Sequence, residues 1–469
     1  MNSSRRTFLK ATGLLAGGAV LGSSPLAGSA AAGTPIAASP WDAVPEILAR
    51  ITPPTFPARD FDVTAYGAKG DGKADCTKAF RDAVVACNKA GGGRVVVPKG
   101  TFFTGPIHLL SNVELHVGAG AKILFTTDRK KYLPTVFTRW QGIECYNWSP
   151  FVYAYNQTNV ALTGKGTLDG QGASWKPLGS DGTSWKQLQD MAEVNRPVAQ
   201  RRFGDGHTLR PNMIQFYKCT NVLVADVTIV KPPMWTIHPV LSTNVTVRGV
   251  TVNSRGGGGN NDGCDPESCT DVHIVGCTFD TGDDCIAIKS GRDIEGRRIN
   301  APSQNIVIQG CTFVFSNRGA ICVGSECSGG ARQIFAENCR INPANSPDAF
   351  WYALFVKTNK YRGGTTDGVY LRNISGAKFM KDPIFITANY NSASPGAVVN
   401  PTIQNIQVDG FTMRDIKEHA INLDGISAKP MRRITVSNST FTNAAQDRPR
   451  VSNADEVTFT NVRINGEPV

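Results

Sequence analysis

Charge is scarce in this 469-residue sequence, and helical periodicity is scarcer. Asp, Glu, Lys and Arg make up 19% of the chain against 41% hydrophobic residues, an ordinary globular composition. Beyond the first 32 residues, no stretch approaches the ~20 apolar residues that a membrane span needs. The glycine turns AGGGR (Ala90 to Arg94) and GGGGN (Gly256 to Asn260) are not followed by Gly-Lys-Ser/Thr, so neither completes a phosphate loop. Twelve cysteines in a chain this long are not a small disulfide scaffold. Cys264 and Cys269 are close enough to pair, as are Cys322 and Cys327. Neither pair has a second ligand pair at zinc-finger spacing, so no metal and no cofactor are expected.

What is abundant is glycine, at 48 residues, which points to many turns and short strands. The N-terminus carries Arg5 and Arg6 ahead of an apolar run from Ala11 to Leu26, then GSAAAG with a small-residue cleavage site near Ala32. Residues 1–32 resemble a bacterial twin-arginine export signal. That implies passage through the twin-arginine machinery, a periplasmic or extracellular location, and no membrane association after cleavage. Removing Arg5, Arg6 and Lys10 takes the formal charge from +11 to about +8. A basic exported protein suits an anionic partner such as a polysaccharide. Nucleic acid is not expected, because no recognition motif accompanies the charge. Residues 33–58 are Pro/Ala-rich and read as a linker, leaving 59–469 as the folded domain.

A weak repeat dominates that domain. It reads NVALTGKGTL at Asn159, NVLVADVTIV at Asn221, NVTVRGVTVN at Asn244, DVHIVGCTFD at Asp271 and NIVIQGCTFV at Asn305. It returns at Gln333, Gly368, Asn405, Arg433 and Glu456. Each copy is two short alternating runs around a Gly or Asn bend, at intervals of about 23 to 37 residues. Units this small bury their apolar faces only by stacking, which predicts an all-β parallel β-helix. The recurring Asn is expected to bond backbone at the bends. Asp75 to Ala90 reads as a short amphipathic helix capping the open N-terminal end. Ala173 to Arg210 breaks the repeat and is expected to form a long loop beside the site.

Acids gather in NNDGCDPESCTDVHIVGCTFDTGDDCIAIKSG (Asn260 to Gly291). Asp262 precedes Asp283 by 21 residues, and Asp284 follows directly. One coil takes about twenty to twenty-five residues, so three carboxylates from two coils would share one face. Like charges that close raise one another's pKa, which lets one hold a proton while others ionise. Glycoside hydrolysis needs that division: an acid for the leaving oxygen and a base for water. The same spacing also suits solvated turn residues or a calcium site.

DTGDDCIAIKSG and NNDGCDPESC together resemble the polygalacturonase family of glycoside hydrolases. So do VTAYGAKGDGKADCTKAF (Val63 to Phe80), GTLDGQGASW (Gly166 to Trp175), WTIHPV (Trp235 to Val240), VGSECSGG (Val323 to Gly330) and VKTNKYRGG (Val356 to Gly364). The resemblance covers most of the chain after residue 58. It implies a right-handed β-helix, an inverting mechanism without a metal, and an anionic pectic polysaccharide or oligosaccharide as substrate. By motif, Asp283 matches the general acid, and Asp262 and Asp284 the carboxylates that hold and activate water. An inverting pair is expected roughly 6.5–9.5 Å apart. Lys357 matches a lysine that grips the sugar carboxylate, and Tyr390 a tyrosine lining the subsite. His238, 24 residues before Asp262, is expected one coil earlier, either lining the groove or in the core.

Two positions depart from the family pattern. Arg318 stands where a Gly-His-Gly histidine is usual, and Phe355 where an arginine usually precedes the lysine by two. Losing that arginine removes bidentate carboxylate recognition. Arg318 from the neighbouring coil, with Arg362, could restore it, or Arg318 could pair structurally with Asp283 or Asp284. A rhamnogalacturonan or otherwise decorated pectin is the alternative substrate. The loop from Ala173 to Arg210 could close one end of the groove, and among the bacterial members that this chain resembles such a loop implies exo-action on chain ends. Two rival readings are a calcium-dependent pectate lyase with Arg318 as base, and a non-catalytic carbohydrate-binding solenoid.

Overall fold

In a computed structural model, which describes residues 39–179, 182–256, 259–342, 344, 350–390 and 396–469, each repeat opens on a residue in the left-handed conformation. Asn159, Asn221, Asn244, Asp271, Asn305 and Asn405 have φ between 55° and 58°. Most L-residues pay for that region through Cβ crowding, and Asn and Asp pay least. The expected backbone bonding of these asparagines is replaced by a side-chain ladder. Asn159 donates to Asn112 at 2.9 Å, Asn221 to Asn159 at 2.9 Å and Asn244 to Asn221 at 2.7 Å. Of these three, Asn244 also reaches a backbone carbonyl, that of Thr52, at 2.8 Å. Stacking in register brings each amide closer to its counterpart one coil away than to other acceptors.

After each bend the chain runs as a strand, turns, and runs again, as in Thr220–Ala225 and Thr228–Val230. Equivalent strands pair in parallel from coil to coil. One apolar column passes through Val160, Val222, Val245, Val272 and Ile306 to Ile334, every member fully buried. Burying each such side chain contributes about 1.5–3 kcal/mol. These strands form a 25-stranded sheet that makes two walls of a right-handed parallel β-helix. The third wall is a four-stranded and a six-stranded sheet. The segment 264–267 joins them through bridges from Cys264 to Ile237 and Ile286.

The expected capping helix is present, at Thr77–Lys89. Helix α1 spans Ala43–Arg50 and α2 spans Thr77–Lys89. Phe80 and Val84 of α2 are buried in the main core, with Phe80 set edge-on against Phe102 of the first coils. Helix α1 corrects the reading of 33–58 as a linker. Val44, Ile47 and Ile51 recur at helical spacing and pack on Val307 and Phe335 of the solenoid. Arg50 closes the contact with two bonds to Asp271, at 2.8 and 3.3 Å. The flanking prolines hid that periodicity. The segment after Ala173 is more ordered than the expected loop: α3 covers Thr183–Glu193, between 3-10 turns at Gly172–Gly179 and Val198–Gln200. A further short helix, α4, covers Asp293–Ile299.

All twelve cysteines are buried free thiols. Cys322 faces Ala287 and Phe355 on the outer side of its wall, whereas Cys327 lies in the main core, so that pair cannot meet. Cys264 and Cys269 both lie in the main core, where Cys269 donates to the Pro239 carbonyl. Among the described residues, no helix is long and apolar enough to cross a membrane. The expected export signal, residues 1–32, lies outside the described residues.

Candidate active site

Register puts the acids together. Cys264 bridges Ile286, so Asp262 sits beside Asp284, one coil away, and the Gly263 N–H donates to the Asp284 carbonyl at 2.9 Å. On the next coil Gly319 donates to the Asp284 side chain at 3.4 Å. One oxygen from each of Asp262, Asp283 and Asp284 lies within 4.8 Å of the others. Asp262 and Asp284 are recessed, at 3% and 1% exposure, while Asp283 is half-buried and stands outermost. Two backbone N–H groups fix Asp283: Asp284 donates to it at 3.0 Å and Asn260 at 3.1 Å.

The cluster is tighter than the 6.5–9.5 Å expected of an inverting pair. A water donating to two carboxylates at about 2.8 Å each spans up to about 5.6 Å, so one water still bridges the gap. Burial, reinforced by the neighbouring Asp283 charge, pushes Asp262 up to about 8. Burial, then Asp284, also raises Asp283. Asp262 and Asp283 therefore titrate together and keep a proton above the usual carboxylate range.

Two lysines balance the cluster. Lys357 bonds Asp284 at 2.5 Å, from the next coil but one. Lys289 lies 3.3 Å from Glu326, 3.5 Å from Asp262 and 3.7 Å from Asp265, with its ammonium 4.4 Å above the Trp235 ring. Burial alone would strip its proton; the surrounding carboxylates, Glu326 foremost, hold it well above the ordinary lysine value. Asp265 is fully buried beside Asp262, and burial pushes its carboxyl well above the usual carboxylate range. The three clustered acids have a span that a cation could bridge, but the two ammoniums already supply positive charge at those oxygens.

The three clustered acids, Lys289, Lys357, Glu326 and Trp235, with Arg318, Ser325 and Tyr390, line a cavity of about 300 Å³. It shares Asn260, Ser325, Glu326 and Tyr390 with a second pocket of similar volume beneath α3. There Trp185 of α3 packs on Trp140, ring centroids 4.9 Å apart. The Arg292 guanidinium lies 4.7 Å from the Trp185 ring and 2.9 Å from Glu326. The inserted segment thus adds an aromatic, cationic chamber to the acid site.

A family model described as glycosyl hydrolases family 28 matches residues 87–465. The chain belongs to glycosyl hydrolases family 28. This family 28 chain is 30% identical to a Vitis vinifera protein named "Probable polygalacturonase", covering 83% of the chain and 75% of the relative. It is 25% identical to the exo-poly-alpha-D-galacturonosidase of Dickeya chrysanthemi, covering 87% and 72%. Among solved structures it is similar to a hyperthermoactive exopolygalacturonase from Thermotoga maritima: 38% identity, 91% and 96% coverage, TM-score 0.85.

Of the residues singled out from the sequence, the cavity gathers Asp262, Asp283, Asp284, Lys357, Tyr390 and Arg318. It does not gather His238 or Arg362. His238 is fully buried edge-on behind Trp235, 2.7 Å from Glu267 and 3.0 Å from Gln215. Gln215 donates to its Nδ1, so the Nε2 hydrogen goes to Glu267. Arg362 is also fully buried, bonding Asp293 at 2.6 Å and the Ser325 carbonyl at 3.1 Å. It props the turn that presents Ser325 and Glu326, rather than contacting the cavity. Lys289, Glu326, Asp265, Trp235 and the Trp140–Trp185–Arg292 chamber were not singled out from the sequence. Lys289 carried a signal: it ends the run Ile286–Ile288, where alternation puts it on the outer face with Ala287.

Proposed function

We propose that the protein is an exo-acting polygalacturonase that cleaves galacturonate units from the ends of pectic galacturonan, with inversion. One observation carries the reading: carboxylates from two coils converge within 4.8 Å in a cavity that runs into a tryptophan-lined pocket under α3. The names of the Thermotoga maritima and Dickeya chrysanthemi relatives support both the substrate and the exo mode.

One proton is shared between Asp262 and Asp283. On Asp283, the outermost acid, it is placed to protonate the glycosidic oxygen. Asp262 is then a carboxylate beside Lys289, and with Asp284 it orients a water and takes up its proton as the bond to the anomeric carbon forms. Tyr390, half-buried between the two pockets, bounds the sugar. Residues 1–32 would direct export by the twin-arginine route to the periplasm or beyond. Twelve buried thiols suit a chain that folds before export.

The test is product chromatography on polygalacturonate, with chelator present. Mono- or digalacturonate from the first time points, with slow loss of viscosity, is expected. Early mid-length oligomers would remove the exo reading. Unsaturated products would replace hydrolysis by elimination.

A further inference from the structure

Two of the three cations lining the acid cavity are already neutralised inside it. Lys357 is bonded to Asp284, and Lys289 lies between Glu326 and Asp262. The third, Arg318, has no ion-pair partner among the described residues. Its Nη1 donates to the neighbouring Asn317 carbonyl at 2.8 Å, which leaves most of its five N–H donors uncommitted. The guanidinium carbon rests 4.4 Å from the centre of the Trp351 ring. Trp351 packs on Tyr352, Tyr352 on Phe355 at 4.1 Å, and Phe355 stacks on Phe385 at 5.4 Å with planes 10° apart. Arg318 is therefore a half-buried planar cation with no ion-pair partner among the described residues, held over an aromatic bed beside Asp283, whose pKa its charge lowers.

We propose that Arg318 is the carboxylate clamp of this site, binding the free uronate of the sugar that lies against Asp283. The inference rests on the hydrolase reading above and sharpens its substrate: a free galacturonate, not its methyl ester or a neutral sugar. It also reassigns a task. The resemblance gives carboxylate binding to Lys357 and to an arginine at position 355. Here Lys357 is committed to Asp284, and Phe355 offers only apolar surface. A guanidinium fork matches a carboxylate bidentately, and such charge-assisted pairs are the stronger ones.

The experiment compares trigalacturonate with its methyl ester, using wild type, Arg318→Met and Arg318→Lys. With the methionine variant, KM for trigalacturonate should rise about ten- to hundred-fold, the range expected for a lost charge-assisted hydrogen bond. Its KM for the ester should stay within about threefold, by the same accounting. The lysine variant, which keeps the charge and loses the fork, should fall between. Calorimetric binding of trigalacturonate to Asp283→Asn, with and without Arg318→Met, reads the same loss without turnover. Equal effects of Arg318→Met on acid and ester, or unchanged binding, would overturn the clamp while leaving the hydrolase reading intact. A wild type that cleaves neither compound would overturn the hydrolase reading, and the clamp with it.

Discussion

Lys357 and Asp284 form a recessed ion pair at 2.5 Å, each less than a tenth exposed. The pair ties two coils together at the floor of the cavity and fixes one face of the acid cluster. Breaking a buried pair from one side leaves an uncompensated charge, at a cost of about 3–5 kcal/mol. Lys357→Met should accordingly lower the melting temperature as well as activity, and differential scanning calorimetry alongside kinetics checks it. A variant that lost activity but kept its stability would show that the lysine serves substrate more than the site's frame.

Asp283 should carry the proton transfer to the leaving group. Replacing it with Asn keeps the shape and removes the acid. The expected loss in kcat is about 10²–10⁴-fold, the usual share of general acid catalysis, with oligosaccharide binding retained. Steady-state rates and calorimetric binding on the same preparation separate the two. A variant with a near-normal rate would move the acid elsewhere in the cluster.

The pH dependence follows from burial. Asp262 is pushed up to about 8, far above an unfolded aspartic acid. Its folded form thus favours the protonated state, so the penalty of ionising it is absent near pH 4 and grows as pH rises toward 8. Asp262→Asn cannot ionise. Its melting temperature relative to wild type should therefore improve steadily between pH 4 and pH 8, by a few degrees. Scanning calorimetry at several pH values reads this directly, and a pH-independent difference would contradict it. For the wild type, kcat/KM should decline across the alkaline side as the shared proton is lost.

Lys289 acts on the same carboxylate in the opposite sense to burial. Its ammonium lowers the pKa of Asp262, against the larger effect of burial. In Lys289→Met that counterweight disappears, so the alkaline limb of the kcat/KM profile, where the shared proton is lost, should move to higher pH. The same variant leaves Glu326 and Asp262 short of a partner and should be destabilised by about 3–5 kcal/mol. A profile that drops in height without moving would limit Lys289 to holding the fold.

The acid cluster was legible because coil length and residue number measure the same thing. A 21-residue gap equals one turn of the solenoid, so Asp262 and Asp283 had to approach. The strand repeat was legible for the same reason. What failed was any question of depth. His238 falls one coil below Asp262 by counting, yet its side chain lies behind Trp235, bound to Glu267. Arg362 is near the site by sequence, but Asp293 of α4 draws it beneath the turn at Ser325. Lys289 gathers carboxylates that lie 27, 24 and 37 positions away in the chain, a convergence that periodicity alone does not reveal. The helix α1 was hidden because Pro40, Pro45, Pro53 and Pro54 mask its short apolar periodicity, and its partners, Val307 and Phe335, lie far along the solenoid.

Trp185 should decide chain-end specificity. It brings α3 over the pocket that continues the acid cavity, packed on Trp140 and beneath Arg292. In Trp185→Ala that chamber loses one wall, while the acids are untouched. Digestion of polygalacturonate should then yield a larger share of mid-length oligomers, and rates on di- and trigalacturonate should fall about tenfold, as expected for loss of an aromatic anchor. High-resolution anion-exchange chromatography of early products measures both. An unchanged product pattern would mean that another part of the insertion closes the groove.

The stereochemical outcome is the sharpest test of how the three acids divide their work. By separation alone, oxygens within 4.8 Å resemble a retaining pair, in which a carboxylate attacks the sugar itself. Depth argues otherwise. Asp262 and Asp284 are recessed beneath Asp283 and engaged by Lys289 and Lys357, so neither is expected to reach an anomeric carbon. A water held between them is, because the gap admits one and the outer acid leaves it facing the cavity. Attack by that water on the face opposite the leaving oxygen inverts the centre. The first product of an α-linked galacturonide should therefore be the β-anomer, seen by proton NMR of the anomeric region before mutarotation. Initial release of the α-anomer would mean that one recessed carboxylate rises to the sugar, and would reassign it as a nucleophile.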